Sequence, residues 1–530
     1  HRTVTDHTAT DPPANGTVTD PAADRTATHR TVTDRTVTDP PVNRTPGARP
    51  ADLARKLAAL TPQQRAELAR KLRPTVSRSL PRLDRSSGRL PMSPAQQRHY
   101  FLQKLHPESP AYNNIEAVTV RGRLDFGAVR EAVATLVRRH EVLRLRCDGP
   151  EFVLDDNPTI EVSQVDSIVG IAERFAELAE RPFDLDRELP LRVAVAPGAI
   201  LFVVHHIASD AWSCRLLVRE FFQAYAGKAL PPLTIQYADL AALPTTTGID
   251  YWRNRLDGMP PLIELPLDRP RPAVRDDHGA EIHLPLDRDR LHRTAKEAGV
   301  TPFALLLTAF AYVLHRHCAT RDVVVGTPVS GRSRVEAEQV IGCFINTVVL
   351  RLDIGPAPTR RALAQRLWAT TLDDLSHADV PFERLVAEVN PGRDLTAGQL
   401  VQVLFNHYQA TEVTEPVAGL EIRSLTVPRR RAKFDLTCTV VEASDGMTVT
   451  FNYATALLDG SFVDRLGEHF VAVLDALLDD LDAPMATLPA VPARRPALSK
   501  PPTGHRPDRP AALREVRPAY PGPHRRPVSG

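Results

Sequence analysis

The residues best suited to chemistry lie in one stretch, Leu201-Phe202-Val203-Val204-His205-His206-Ile207-Ala208-Ser209-Asp210-Ala211-Trp212-Ser213. An apolar strand runs into two histidines, then a short loop, then the start of a helix. Side chains alternate across a strand, so His205 and His206 are expected on opposite faces, with one of them toward any given cavity. A histidine at the end of a buried strand suits general-base work, because an unperturbed pKa of about 6.5 leaves much of the ring neutral at neutral pH. Plainer roles stand beside this one. A buried histidine is often a hydrogen-bonded core residue, and Asp210 has the type and position of a helix N-cap. His205, His206 and Asp210 make a poor metal set, because the histidines are opposed and no clear third ligand accompanies them. A covalent nucleophile is also missing. There is no G-x-S-x-G elbow and no cysteine beside a helix start with a histidine partner. Neither a G-x-x-x-x-G-K-S/T loop nor a dinucleotide fingerprint is present. Taken alone, the stretch supports a general-base enzyme and nothing narrower.

The elements that must hold this stretch follow from periodicity. Leu191 to Val195 and Ile200 to Val204 read as strands joined at Pro197-Gly198. Ser213 to Tyr225 reads as a helix with Leu217, Phe221 and Tyr225 four residues apart. Leu124 to Arg139 is a helix with Val129, Val133, Leu136 and Val137 inward, and Phe303 to His315 is a strongly apolar one. Val323 to Val325 reads as a buried strand, and Phe434 to Val440 pairs with Thr448 to Tyr453 as a hairpin around Asp445-Gly446. Mixed strands and helices over this length predict an α/β body of two lobes, 88–260 and 261–490.

The flanks differ in kind. Residues 1–50 repeat Thr-Val-Thr-Asp or Thr-Ala-Thr-Asp among Pro, Asn and Arg, with no large apolar residue other than Val. Such a segment buries too little to offset backbone ordering and reads as a disordered extension. In 51–87, Leu53, Leu57 and Leu60 and then Leu68 and Leu72 mark two short amphipathic helices, the second introduced by Thr61-Pro62-Gln63-Gln64. The stretch 491–530 is rich in Pro and Arg and reads as a solvated tail.

Composition narrows the function classes. The 530 residues are 42% hydrophobic and 25% charged, close to globular averages of roughly 45–50% and 25%. Sixty-six basic against 64 acidic residues give a net charge of +2, without the basic excess of a nucleic-acid binder. Cys147, Cys214, Cys318, Cys343 and Cys438 are scattered, with no C-x-x-C, which suggests reduced thiols in a cytoplasmic protein. No apolar run reaches the ~20 residues of a membrane span.

Several segments together resemble one family. His205 to Ala211 is similar to the H-H-x-x-x-D-G signature of nonribosomal peptide synthetase condensation domains. Met92-Ser93-Pro94-Ala95-Gln96-Gln97-Arg98 resembles their S-x-A-Q-x-R opening, and Arg139-His140-Glu141-Val142-Leu143-Arg144 their R-H-E-x-L-R. Gln236-Tyr237-Ala238-Asp239 and Tyr251-Trp252 resemble the segment after the active-site helix. Gly326 to Arg332, Ile341 to Thr347 and His377 to Glu383 resemble stretches of the second lobe. The match runs over about 90–480, in the family's order. Two positions depart from it: Ala211 stands where the family has glycine, and Ala238 to Leu243 lacks the second aromatic residue and the Trp usual there.

This resemblance implies two chloramphenicol acetyltransferase-like lobes in a V-shaped pseudo-dimer, with the His motif in a tunnel between them. It implies amide-bond formation between a donor thioester and an acceptor amine. Each rides on the phosphopantetheine arm of a peptidyl carrier protein, with an adenylation domain as a further partner and no cofactor or metal bound directly. His206 is the implied catalytic residue, grouped with His205 and Asp210. Arg332, Ala211, Ser213 and Asn346 are the residues expected to support the site, with Arg332 the expected partner of Asp210. The same resemblance admits an ester-forming enzyme, an epimerisation domain, or a catalytically silent domain that recruits other enzymes.

Overall fold

The computed structural model describes residues 80–490 apart from 123, 244–247, 261, 273, 390–399 and 411–419. The extension 1–50, the two helices expected within 51–73 and the tail 491–530 lie outside the described residues. Along the chain the strands are β1 (Arg89–Pro91), β2 (Asn113–Arg121), β3 (Leu145–Asp148), β4 (Glu151–Leu154), β5 (Glu161–Gln164), β6 (Leu191–Ala196), β7 (Ala199–His205), β8 (Gly279–Leu286), β9 (Asp322–Val329), β10 (Asn346–Asp353), β11 (Val403–Gln409), β12 (Glu421–Ser424), β13 (Leu436–Ala443) and β14 (Gly446–Ala454). They form a five-stranded sheet in the order β12-β2-β7-β6-β5, a six-stranded sheet β10-β9-β11-β13-β14-β8, and a small sheet β1-β4-β3. The fold is α/β, as the periodicity predicts.

Strand β7 explains why the His motif sits where it does. All seven residues Ala199–His205 are buried; such an unbroken run marks a strand covered on both faces. It pairs antiparallel with β2 on one side and β6 on the other. The helices Phe126–Arg139 and Ala211–Tyr225 pack against one another over this sheet. Phe221 meets Phe202 edge to face at 5.0 Å.

Expected and observed boundaries differ where a cap decides them. Asp125 accepts from the Ala128 N–H, so its helix begins at Phe126 rather than Leu124. Asp210 accepts from the Ser213 N–H, so the next helix begins at Ala211. Thr301 caps Pro302–Cys318, with proline at its first position. The hairpin pairs Ala443 with Gly446, which leaves Ser444 and Asp445 as its turn, one residue earlier than expected.

Two apolar cores form, and they exchange segments across the expected 260/261 division. Ile249, Trp252 and Leu256 pack into the core of the six-stranded sheet. In return, Val340, Ile341, Cys343 and the β12 residue Ile422 pack into the core of the five-stranded sheet. Strand β12 pairs antiparallel with β2, Ile422 opposite Val120. No single helix among the described residues is long and apolar enough to cross a membrane.

Candidate active site

His205 closes β7 and is completely buried. Its Nδ1 accepts from the Ile207 N–H at 3.1 Å, and its Nε2 lies 3.2 Å from Gln103 Oε1. An amide oxygen can only accept, so Nε2 carries the proton and both ring nitrogens are committed. Phe183 meets the ring edge-on at 5.8 Å. Burial first, then the charges of Lys433 and Arg192, push the His205 pKa down to about 3. These contacts leave neither ring nitrogen of His205 free, and nothing in them supports its grouping with the catalytic residues; the period of the strand sends it into the core.

His206 has the opposite environment. Its N–H donates to the Tyr112 carbonyl at 2.8 Å, which continues the pairing of β7 with β2 one residue past His205. The half-buried ring stacks on His99, centroids 4.7 Å apart and planes at 15°. Its Nδ1 lies 3.7 Å from Cys343 Sγ. Burial, with Lys433 next, holds its pKa well below the ordinary histidine value. The ring is therefore neutral at physiological pH and free to accept a proton. Lys433, whose pKa burial lowers to about 8, has its ammonium 5.6 Å from the centre of the Tyr112 ring.

Asp210 does both things the sequence allows. Oδ1 accepts from the Ser213 N–H at 2.8 Å as an N-cap and lies 3.2 Å from Arg332 Nη2. Oδ2 accepts from the Phe344 N–H at 3.0 Å. Arg332 Nη2 also donates to Ser213 Oγ at 2.7 Å, and Nη1 donates to the carbonyls of Ala337 and Val340. Ser213 Oγ in turn donates to the Gly342 carbonyl at 2.8 Å and accepts from the Gly342 N–H at 3.0 Å. A carboxylate, a guanidinium and a hydroxyl thus lock the 340–344 segment onto the loop that carries His206.

Glycine is required at two points of this lock. A Cβ on Gly342 would lie 2.0 Å from Tyr237 Cδ2, and one on Gly331, at φ +58°, would lie 2.0 Å from the Phe344 carbonyl oxygen. The Tyr237 hydroxyl donates to the Cys343 carbonyl at 2.8 Å. Ala211, by contrast, is the first residue of its helix. Ala319 is the one described non-glycine residue with positive φ, so the backbone at Ala211 does not call for glycine. Asn346 ties β10 to the 378–382 segment through the carbonyls of Ala378 and Val380 and the N–H of Phe382.

Sequence reasoning missed His99, Tyr112, Cys343 and Lys433 as neighbours of His206. A signal for His99 existed. Gln96, His99 and Gln103 share a face of the helix Pro94–Leu105. They meet, in turn, the Ile207 carbonyl at 3.1 Å, the His206 ring and the His205 ring. Cys343 and Lys433 come from segments far along the chain and carry no such local mark.

Comparison with known proteins adds three findings. The Condensation domain family matches residues 86–497. The chain is 35% identical over 440 residues to a linear gramicidin synthase of Brevibacillus parabrevis, covering 76% of this chain and 8% of that protein. It is 36% identical over 481 residues to phosphinothricin tripeptide synthetase PhsC of Streptomyces viridochromogenes, covering 83% of this chain and 44% of that one. The chain thus spans less than half the length of these relatives. Among solved structures, the X-domain from teicoplanin biosynthesis superposes with a TM-score of 0.71 at 26% identity, over 78% of this chain and 100% of that one. That X-domain has also been solved in complex with OxyB.

Proposed function

The chain belongs to the condensation-domain family, and on that premise we propose that it joins a donor acyl or peptidyl thioester to an acceptor aminoacyl thioester, each carried on the phosphopantetheine arm of a peptidyl carrier protein. A thioester is already activated, so the reaction needs no covalent nucleophile, in keeping with the lack of one in the motif. The acceptor nitrogen attacks the donor carbonyl carbon, and His206 takes the proton the nitrogen sheds. The C–S bond then breaks, and the leaving thiolate recovers that proton as the amide forms. The observation that carries this reading is the half-buried His206 ring, with its loop held fixed by the hydrogen bonds and ion pair of Asp210, Arg332 and Ser213.

The test uses a loaded donor carrier and a loaded acceptor carrier, with product measured by mass spectrometry. Condensed product from the wild type and a loss on the order of 10²–10⁴-fold in His206→Ala, with an unchanged melting transition, is the expected result. Near wild-type turnover of His206→Ala overturns it. A second reading, a platform that recruits another enzyme, draws support from the likeness to the X-domain solved with OxyB. Absence of product from the folded wild type with several carrier pairs would favour that reading.

A further inference from the structure

One cluster joins His206 to two residues that the reading above does not use, His99 and Cys343. Single donor atoms of His99, His206 and Cys343 all lie within 4.8 Å of one another. The His206 Nδ1 to Cys343 Sγ separation is 3.7 Å. Ligands at about 2.0 Å (nitrogen) and 2.3 Å (sulfur) around a tetrahedral zinc ion stand roughly 3.5 Å apart, so this pair is already spaced to share one ion. His99 is 7% exposed, and its Nδ1 is buried with no hydrogen-bond partner. A buried imidazole nitrogen without a partner calls for an explanation, and a cation is one that fits.

We propose that His99, His206 and Cys343 form a three-ligand site for a thiophilic d10 cation, Zn2+. On binding, the Cys343 S–H bond breaks, its proton passes to water, and a sulfur–zinc bond forms. The His99 and His206 planes are 15° apart and stacked, so their in-plane lone pairs do not converge as they stand. His99 must turn about its ring torsion, which makes the site one that forms on binding. Zinc held there occupies His206 and blocks condensation reversibly. That consequence rests on the proposed function; the binding itself does not.

The experiment titrates the full-length, reduced chain with Co2+ as a spectroscopic stand-in. We expect saturation at one ion per chain with a sulfur-to-cobalt charge-transfer band, reversed by Zn2+. Cys343→Ser should abolish the band, and His99→Gln should weaken binding at least tenfold. Melting curves check each variant, with Cys343→Ala replacing any that fails to fold. Lack of the band, or binding that survives Cys343→Ser and is lost in His278→Ala of the exposed Asp276-Asp277-His278 cluster, overturns the site. Cobalt saturation with the band present and turnover undiminished would keep the site and overturn the catalytic role of His206.

Discussion

The two sides of β7 take the same residue type and give it opposite environments. On one side His205 has both nitrogens committed, to Gln103 and Ile207, and Phe183 against its edge. On the other, His206 keeps a half-exposed ring beside His99, Cys343 and Lys433. Neither sequence context nor intrinsic pKa separates the two. The period of the strand does, and what each face packs against then decides chemistry.

The largest effect that would break this contrast is on turnover. His206→Ala should lower condensation on the order of 10²–10⁴-fold, the usual contribution of a positioned general base, while leaving the urea midpoint close to wild type. If His205→Ala cost as much turnover at unchanged stability, the two faces would not be functionally distinct.

Next comes the lock between the loop and the 340–344 segment. Asp210→Ala leaves Arg332 buried without its carboxylate and removes the helix cap, a loss of about 3–5 kcal/mol. Equilibrium denaturation measures it, and a loss below about 1 kcal/mol would mean the pair is solvated. His205→Ala should cost less, roughly 2–3 kcal/mol, since it leaves a small void and two unpaired polar groups.

Acid tests how closed the His205 side is. An unfolded histidine takes up a proton near about pH 6.5, whereas the folded chain resists until about 3 at His205 and about 4 at His317. Because these folded values are depressed, their stabilisation is complete above about pH 6.5 and is lost as pH falls toward them. The loss is about 1.4 kcal/mol per pH unit for each ring. Denaturation midpoints measured from pH 7 to 5 should therefore decline, and His205→Gln should flatten the slope. A level profile in the wild type would argue that the His205 ring is open to water. The smallest effect is at the helix start: Ala211→Gly should change stability by less than about 1 kcal/mol and leave turnover near wild type.

How far the sequence could be read depended on distance along the chain. Strand β7, the helix after it and the opposition of His205 and His206 follow from local periodicity. The Asp210–Arg332 pair came from family resemblance, since nothing within either segment points to the other. His99 was within reach, one helical turn after Gln96. Cys343 and Lys433 were not, because their approach depends on the 340–344 segment packing into the core of the five-stranded sheet and on the path of the chain after β12. The pattern of apolar residues fixes which face is buried but does not say which distant segment buries it.

That path has a kinetic consequence. The edge of the five-stranded sheet is completed by β12, and the Arg121–Glu421 ion pair across it joins residues 300 positions apart. Closing so long a loop is an entropic cost met before the contact forms, so the edge strand should be among the last pieces to settle during refolding. Until it does, β2 presents an unpaired edge to other chains. A chimera that joins the first half of this chain to a foreign second half would inherit that open edge unless a strand equivalent to Glu421–Ser424 came with it.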